Sequence, residues 1–235
     1  MTKAHLFLFA VGVLLTCTLS LAAQQTPINP KQVALLRWYP ANQTATFSAG
    51  ARPSGVAFDG ANIWVANWDS NNVTKLRASD GANLGTFNAG AGAWNVVFDG
   101  ANIWVANRNS NNVTKLRASD GANLGTFTVG TKPYGLAFDG NNIWVANWDS
   151  NTLSKLRVSD GAIVATFGTY GPFAMTFDGA NIWVTKYYNR LVTKLRASDG
   201  VVLGSFAVGM NPQGICFDGA NIWVANNGGN TVSKL

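Results

Sequence analysis

Residues 63–76 read IWVANWDSNNVTKL, and residues 103–116 read IWVANRNSNNVTKL. The two stretches differ only where Trp68 and Asp69 of the first correspond to Arg108 and Asn109 of the second. Identity extends on both sides, from the FDGAN segment before each stretch to the SDGANLGTF segment after it. The chain therefore contains an internal repeat in which a constant framework surrounds a few variable positions.

The repeat has a fixed length and four β-type runs per copy. Its copies are 40, 40, 39 and 40 residues apart. This spacing is measured from the FDG triplets, which begin at Phe58, Phe98, Phe138, Phe177 and Phe217. We name the runs strands A to D; in the first copy they are GVAF (55–58), NIWVAN (62–67), VTKLR (73–77) and LGTF (84–87). A period near 40 residues with four strands, joined by Asp-Gly turns, predicts an all-β β-propeller of four-stranded antiparallel blades.

The number of strands predicts how the ring closes. Strands A, B and D each occur five times, D beginning with the isolated run TATF (44–47), and the chain ends at Leu235 inside the last strand C. We therefore expect five blades, with the N-terminal strand D completing the last one. A further C-type run, VALLR (33–37), leaves alternatives open. It caps an edge, or it competes with residues 232–235 for one position, or the ring has six or more blades.

Residues 1–23 have the features of a secretory signal peptide. Lys3 precedes an apolar run from Leu6 to about Leu21, and Ala22 and Ala23 supply small residues for cleavage. The apolar run is shorter than the roughly 20 residues that span a bilayer. We therefore expect residues 24–235 to form a single β-propeller domain that is secreted, periplasmic or at the cell surface, without a transmembrane segment.

The repeat resembles a known family. The IWVAN runs that start at 63, 103, 143 and 222, and IWVTK at 182, resemble the aromatic-V-T/A-N core of YVTN-type β-propeller repeats. The segment GTKPYGLAFDG (130–140) resembles their G-x-x-P-x-G-[IV]-A segment. The resemblance covers nearly all of the chain after the leader and implies a propeller related to the streptogramin lyase-like and NHL-like ones. It implies no single function, because related propellers range from surface-layer proteins to streptogramin lyases.

The composition argues against catalysis. The chain has no Glu, and its one His, His5, lies in the predicted leader. General acid–base catalysis uses His most often, and the resemblance to streptogramin lyases implies a His base, a Glu and a bound metal. We therefore lean against an enzyme and expect no catalytic residue, cofactor or metal site, although an Asp with Tyr or Lys stays open as a catalytic set. Cys216 has no His to activate it, and we expect it to be a buried small residue.

The connections between strands divide between two faces. In a propeller the A–B and C–D turns share one face, which we name the turn face, and the B–C and D–A loops share the opposite loop face. Nine of the eleven Asp residues belong to the turn face and hardly vary between copies. Lys75 and Arg77 point toward it, and we expect them to form a solvated charge ladder with Asp80. The strand B tryptophans, such as Trp64, alternate with Ile and Val, which predicts a place in the core.

The loop face carries the variable positions, and they hold aromatic and basic residues. The candidate ligand-binding residues are Arg52, Trp68, Trp94, Arg108, Lys132, Tyr134, Trp148, Phe173, Tyr187 and Tyr188. Trp and Tyr supply rigid contact area at low entropic cost, and Arg adds hydrogen-bond donors. Because flat rings beside Asn and Asp suit sugar rings, we expect a binding module for carbohydrate or a cell-surface protein. The alternatives are aromatics that only pack on neighbouring loops, and a structural or surface-layer component that acts by self-association.

The net charge of +6 falls to about +5 once the leader with Lys3 is removed. Such a modest and dispersed excess of positive charge is typical of ordinary solubility rather than of nucleic-acid binding. We therefore expect no nucleic-acid partner.

Overall fold

The computed structural model of the protein describes residues 45–235, and residues 47–235 form one compact unit. The described chain consists of short β-strands and one 3₁₀ turn at Asn227–Gly229. The strands are β1 (Pro53–Phe58), β2 (Asn62–Asn67), β3 (Asn72–Arg77), β4 (Asn83–Asn88), β5 (Ala93–Phe98), β6 (Asn102–Asn107), β7 (Asn112–Arg117), β8 (Asn123–Thr128), β9 (Pro133–Phe138), β10 (Asn142–Asn147), β11 (Thr152–Arg157), β12 (Ile163–Gly168), β13 (Pro172–Phe177), β14 (Asn181–Lys186), β15 (Leu191–Arg196), β16 (Val202–Ala207), β17 (Pro212–Phe217), β18 (Ile222–Asn226) and β19 (Thr231–Lys234). Within residues 45–235, no helix is long and apolar enough to cross a membrane.

The strands form five antiparallel sheets that follow one another along the chain. Four sheets have four strands each, β1 to β4, β5 to β8, β9 to β12 and β13 to β16, and the fifth contains β17 to β19. We name them blades 1 to 5. Strand B lies between A and C in each blade; in blade 1, Ile63 is opposite both Phe58 and Leu76. This arrangement confirms the predicted all-β, five-bladed β-propeller with antiparallel blades.

Consecutive blades pack face to face through apolar clusters. In the cluster between blades 1 and 2, Trp64, Ala66 and Val73 of blade 1 contact Val96 and Ile103 of blade 2. Equivalent clusters join blades 2 and 3, blades 3 and 4, and blades 4 and 5. The strand B tryptophans of blades 1 to 4 are buried in these clusters, as expected from their alternation with Ile and Val.

The Asp of each FDG turn organises the turn face. In blade 1, Asp59 Oδ1 accepts hydrogen bonds from the backbone N–H groups of Ala61 and Asn62, and Asp59 Oδ2 accepts one from Trp64 Nε1 at 2.8 Å. The indole–carboxylate bond recurs in all five blades at 2.7 to 2.8 Å. It provides the indole N–H with an acceptor and ties strand B to the A–B turn.

The basic residues of strand C differ in part from the expected solvated ladder. Arg77 is exposed and pairs with Asp80 at 2.9 Å, as predicted, and blades 2 to 4 repeat this pair. Lys75 is only 7% exposed, because its Nζ donates to the carbonyl oxygens of Ala118 and Ser119 in blade 2. The expectation of a solvated Lys75 was wrong, since the repeat pattern does not reveal which side chains face the next blade.

The two ends of the blade series differ from its interior. No apolar cluster joins blade 5 to blade 1 within residues 45–235. Residues 45–47 of the expected closing strand belong to no strand, whereas Thr44, the run 33–37 and the predicted leader lie outside the described residues. Closure by an N-terminal strand therefore stays a prediction.

Cys216 is exposed rather than buried, because no described blade packs on its side of blade 5.

Candidate binding face

Backbone hydrogen bonds join the two loops that each blade contributes to the loop face. In blade 1, the N–H of Trp68 donates to the carbonyl of Arg52, and the N–H of Asp69 donates to the carbonyl of Ala51. The bond from the first residue of the B–C loop recurs between Arg108 and Gly92, Trp148 and Lys132, Tyr187 and Gly171, and Asn227 and Asn211. The variable positions of the B–C and D–A loops are consequently adjacent in every blade.

An asparagine connects the loops of neighbouring blades. Asn71 adopts a left-handed conformation with φ 55°, and its Oδ1 accepts a hydrogen bond of 2.7 Å from the N–H of Gly92 in blade 2. Asn111 and Asn151 make the equivalent bonds to the next blade at 2.9 and 2.8 Å. Asn tolerates this conformation better than most residues, and its amide oxygen replaces a backbone acceptor. The repeated framework thereby holds the variable loops at fixed positions relative to one another.

Aromatic side chains from four blades form one continuous group, which we name the aromatic cluster. Its members are Trp68, Trp94, Tyr134, Trp148, Phe173, Tyr187 and Tyr188. The ring centroids of Trp68 and Trp94 are 4.6 Å apart, and those of Trp94 and Tyr134 are 5.2 Å apart. The centroid of Trp148 lies 5.0 to 5.5 Å from four other rings of the cluster. Edge-to-face and tilted contacts at these distances are favourable for aromatic pairs.

The three basic candidates lie against this cluster or at its edge. The Arg108 guanidinium is 4.6 Å from the Trp68 ring centroid and 4.8 Å from that of Tyr134. The Arg52 guanidinium is 4.9 Å from the Trp68 ring centroid and also pairs with Asp69 at 3.4 Å. The Lys132 Nζ is 2.6 Å from a carboxylate oxygen of Asp149 in the same blade. All ten predicted residues therefore meet on one face of the protein.

Arg108 differs from Arg52 and Lys132 in its charge balance. No carboxylate of residues 45–235 forms an ion pair with Arg108, and its buried Nε has no hydrogen-bond partner there. Burial raises the pKa of Tyr134 above its ordinary value, although the positive charges of Arg108 and Lys132 oppose this shift. Tyr134 consequently remains a neutral phenol at ordinary pH, and the charge of Arg108 stays uncompensated.

Two of the basic residues occupy backbone positions that favour glycine. Arg52 and Lys132 have φ angles of 52° and 50°, and the matching positions of blades 2 and 4 are Gly92 and Gly171, also with positive φ. A left-handed conformation costs a non-glycine residue about 1–3 kcal/mol. Sequence alignment of the repeats shows the Gly-to-basic exchange, but only the backbone angles show that it carries a conformational cost.

The aromatic cluster lines an open cavity of about 370 Å³. A second cavity of about 390 Å³ adjoins it beside Arg52, Trp68 and Trp94. Gln213 lines the first cavity and Asn95 the second, and neither was among the predicted binding residues. The sequence offers one indication for Gln213, because Gln213 of blade 5 corresponds in the repeat to Trp94 of blade 2. Both volumes fall within the range of small-ligand sites.

Within the described part of the chain, no three residues among His, Cys, Asp and Glu come together as metal ligands would. Asp69 and Asp149 pair with Arg52 and Lys132.

Several solved structures have a similar fold. Hydrazine synthase from Kuenenia stuttgartiensis matches with a TM-score of 0.67 and 20% identity, over 78% of this chain and 58% of that chain. U3-55K matches with a TM-score of 0.72 and 16% identity, over 80% and 62% of the two chains. Streptogramin B lyase matches with a TM-score of 0.64 and 19% identity, over 79% and 69%. The protein thus spans less than two thirds of the length of the first two chains.

No protein-family model and no curated protein sequence matches the chain. At identities of 16 to 20%, the likeness to solved structures shows a shared β-propeller fold and assigns neither a ligand nor a reaction.

Proposed function

We propose that the protein is an exported binding module that recognises carbohydrate through the aromatic cluster, and that its repeats are of the YVTN type. The observation that carries the proposal is the unbroken series of aromatic rings from Trp68 to Tyr188 on one face. Flat rings can stack on the apolar faces of sugar rings. Neighbouring polar side chains can accept hydrogen bonds from the sugar hydroxyl groups and donate hydrogen bonds to them. The proposed mechanism involves no covalent chemistry.

The degree of burial suits this role. Trp68, Trp94 and Trp148 are half-buried, so each ring is held by neighbours and still offers part of its surface. The loops that carry them are fixed by hydrogen bonds within and between blades, which reduces the entropic cost of binding. Asn95 and Gln213 provide amide groups at the cavity walls. A rigid scaffold with aromatic anchors and a few polar groups is the usual composition of a small-ligand site.

The test is a titration of the purified protein with a panel of oligosaccharides and cell-wall fragments, followed by tryptophan fluorescence and calorimetry. We expect saturable binding that weakens roughly thirtyfold in Trp148→Ala, because an anchoring aromatic residue contributes about 2 kcal/mol. Trp148→Phe keeps a flat ring and should retain most of the affinity.

Leu124→Ala is the matched control, since Leu124 is exposed on the outer strand of blade 2 and lies away from the loop face. No saturable binding to any member of the panel, or binding that Trp148→Ala leaves unchanged, would refute the carbohydrate proposal.

A structural role through self-association is the second candidate, and the exposed ends of the blade series favour it. Val56 in blade 1 is 67% exposed, whereas its counterparts in blades 2 to 4 are 5 to 7% exposed. On the opposite end, Val232 and Trp223 of blade 5 are 63% and 37% exposed. In the interior of the protein, faces of these two kinds pack on each other. The same pairing between two molecules would be a head-to-tail contact.

Two single-face variants test this candidate by sedimentation velocity. Val56→Lys blocks the blade 1 face and Val232→Lys blocks the blade 5 face. Each variant alone should be monomeric, and an equimolar mixture should form a dimer through the two intact faces. A protein that stays monomeric at every concentration, with mixtures that also stay monomeric, would exclude head-to-tail association.

A further inference from the structure

We infer that the ligand of the loop face is an anionic sugar, whose acidic group pairs with Arg108 while its ring stacks on the aromatic cluster. This inference rests on the proposed carbohydrate function and names the class of sugar. Its first support is the distribution of charge between the two faces of the protein.

The turn face has no net charge. Its nine Asp residues are balanced by nine basic residues at the ends of the C strands. These basic residues are Lys75, Arg77, Lys115, Arg117, Lys155, Arg157, Lys194, Arg196 and Lys234. Four of the Arg residues form ion pairs with the turn-face Asp, and Lys75 and its copies in blades 2 and 3 are buried against the next blade. Little of this charge is available to a ligand.

The loop face holds the entire excess of positive charge in residues 45–235. Its five basic residues are Arg52, Arg108, Lys132, Lys186 and Arg190, and its two acidic residues are Asp69 and Asp149. Both Asp residues are already paired, with Arg52 and Lys132. Burial lowers the pKa of Lys186 from its ordinary value, and its Nζ donates a hydrogen bond to Thr169 Oγ1. Neither Arg108 nor Arg190 forms an ion pair within residues 45–235, and of the two only Arg108 is stacked on rings of the aromatic cluster.

The surroundings of Arg108 hold its guanidinium in one place. It is stacked between the rings of Trp68 and Tyr134, at 4.6 and 4.8 Å from their centroids. An arginine held in this way loses little side-chain entropy when it binds, and its planar donors match the geometry of a carboxylate. Its Nε is buried and has no partner in residues 45–235, so the guanidinium keeps unused hydrogen-bonding capacity within the described chain.

The position of Arg108 beside aromatic rings favours a sugar that carries a negative charge over a simple anion or a neutral sugar. The cavity of about 370 Å³ is lined by Trp68 and Tyr134, the two rings that hold Arg108. A ligand that only carried charge would gain nothing from the rings, and a neutral sugar would leave Arg108 unpaired. A uronic acid or a sulfated sugar combines an apolar ring face with an anionic group and uses both features.

A matched pair of ligands tests the inference. Oligogalacturonate and its methyl ester share one backbone and differ in the negative charge. In calorimetry at low salt we expect the acid to bind at least tenfold more tightly than the ester, and the difference to shrink as salt is raised. A sulfated oligosaccharide in a third arm distinguishes sulfate from carboxylate as the preferred anion.

Variants in one blade assign the preference to one residue. Arg108→Met retains a long side chain against the rings and removes the charge, so it should bind acid and ester equally. Arg108→Lys should recover part of the preference for the acid. Arg117→Met, on the turn face of the same blade, is the control and should behave as the unmodified protein.

The outcomes separate the two proposals. Equal binding of acid and ester by the unmodified protein, with both lost in Trp148→Ala, would overturn the anionic sugar and leave carbohydrate binding in place. A preference that persists in Arg108→Met would also overturn the role of Arg108. Absence of binding to every sugar of the panel would overturn both proposals.

Discussion

The two faces of this propeller are built from the same repeats, yet one is constant and the other is variable. On the turn face, five copies of one Asp accept the same indole hydrogen bond at 2.7 to 2.8 Å. On the loop face, the first position after strand B is Trp68, Arg108, Trp148, Tyr187 and Asn227. The turn-face Asp accepts the same indole hydrogen bond in every blade, whereas the loop-face residue has different side-chain partners from one blade to the next. The difference teaches that a repeat tolerates change where no single side-chain contact has to be made in every blade.

The largest expected effect contrasts two tryptophans of blade 3 that are four residues apart. Trp144 is fully buried between blades, and Trp144→Ala should lower the free energy of unfolding by about 4 kcal/mol. Trp148 belongs to the half-exposed aromatic cluster, and Trp148→Ala should cost about 1–2 kcal/mol. Urea denaturation followed by circular dichroism measures both values. Similar losses in the two variants would mean that the loop face is part of the stabilising core.

A smaller effect is expected from the carboxylates of the turn face. Asp139→Ala removes the acceptor of the Trp144 indole, together with bonds to the backbone N–H groups of Asn141 and Asn142. Because the indole N–H would then be buried without a partner, the free energy of unfolding should fall by about 2–3 kcal/mol.

Asp120→Ala, in an exposed C–D turn of the same face, is the matched control and should have a much smaller effect. Denaturation curves of the two variants make the comparison. Equal losses would show that exposure does not distinguish these two kinds of Asp.

The smallest effect per residue on the free energy of unfolding is expected when the pH is lowered. The Ala82 N–H, and then the charge of Arg77, lower the pKa of Asp80 below its ordinary value, and Asp120 and Asp160 have equivalent partners. Since the folded pKa lies below the unfolded one, the unfolded chain takes up protons first as the pH falls. Stability should therefore be constant above about pH 5 and decrease below about pH 4.

Hydrogen exchange measured across this pH range tests whether the turn face is affected first. The loop face has only Asp69 and Asp149, so its amides should open later than those of the C–D turns. Earlier opening of the loop face would contradict the assignment of acid sensitivity to the turns.

Most of the fold follows from local sequence signals. The period near 40 residues, the alternation of Ile, Trp and Val in strand B and the Asp-Gly turns indicate blade number, strand order and the buried tryptophans. These features can be predicted from the sequence because each depends on residues that are close together in the chain. The ten candidate residues of the loop face could also be named, since repeat register assigns each loop to a face.

Other properties depend on contacts between blades and could not be read from one repeat. The amino-acid sequence determined that Lys75, Arg108 and Cys216 are present at given strand or loop positions. Only the tertiary structure decided that Lys75 is buried on the carbonyls of blade 2, that Cys216 is exposed, and that Arg108 is stacked between rings from blades 1 and 3. The physical reason is that burial and pairing of these side chains depend on residues of other blades, whose distance and direction are set by how one blade packs on the next.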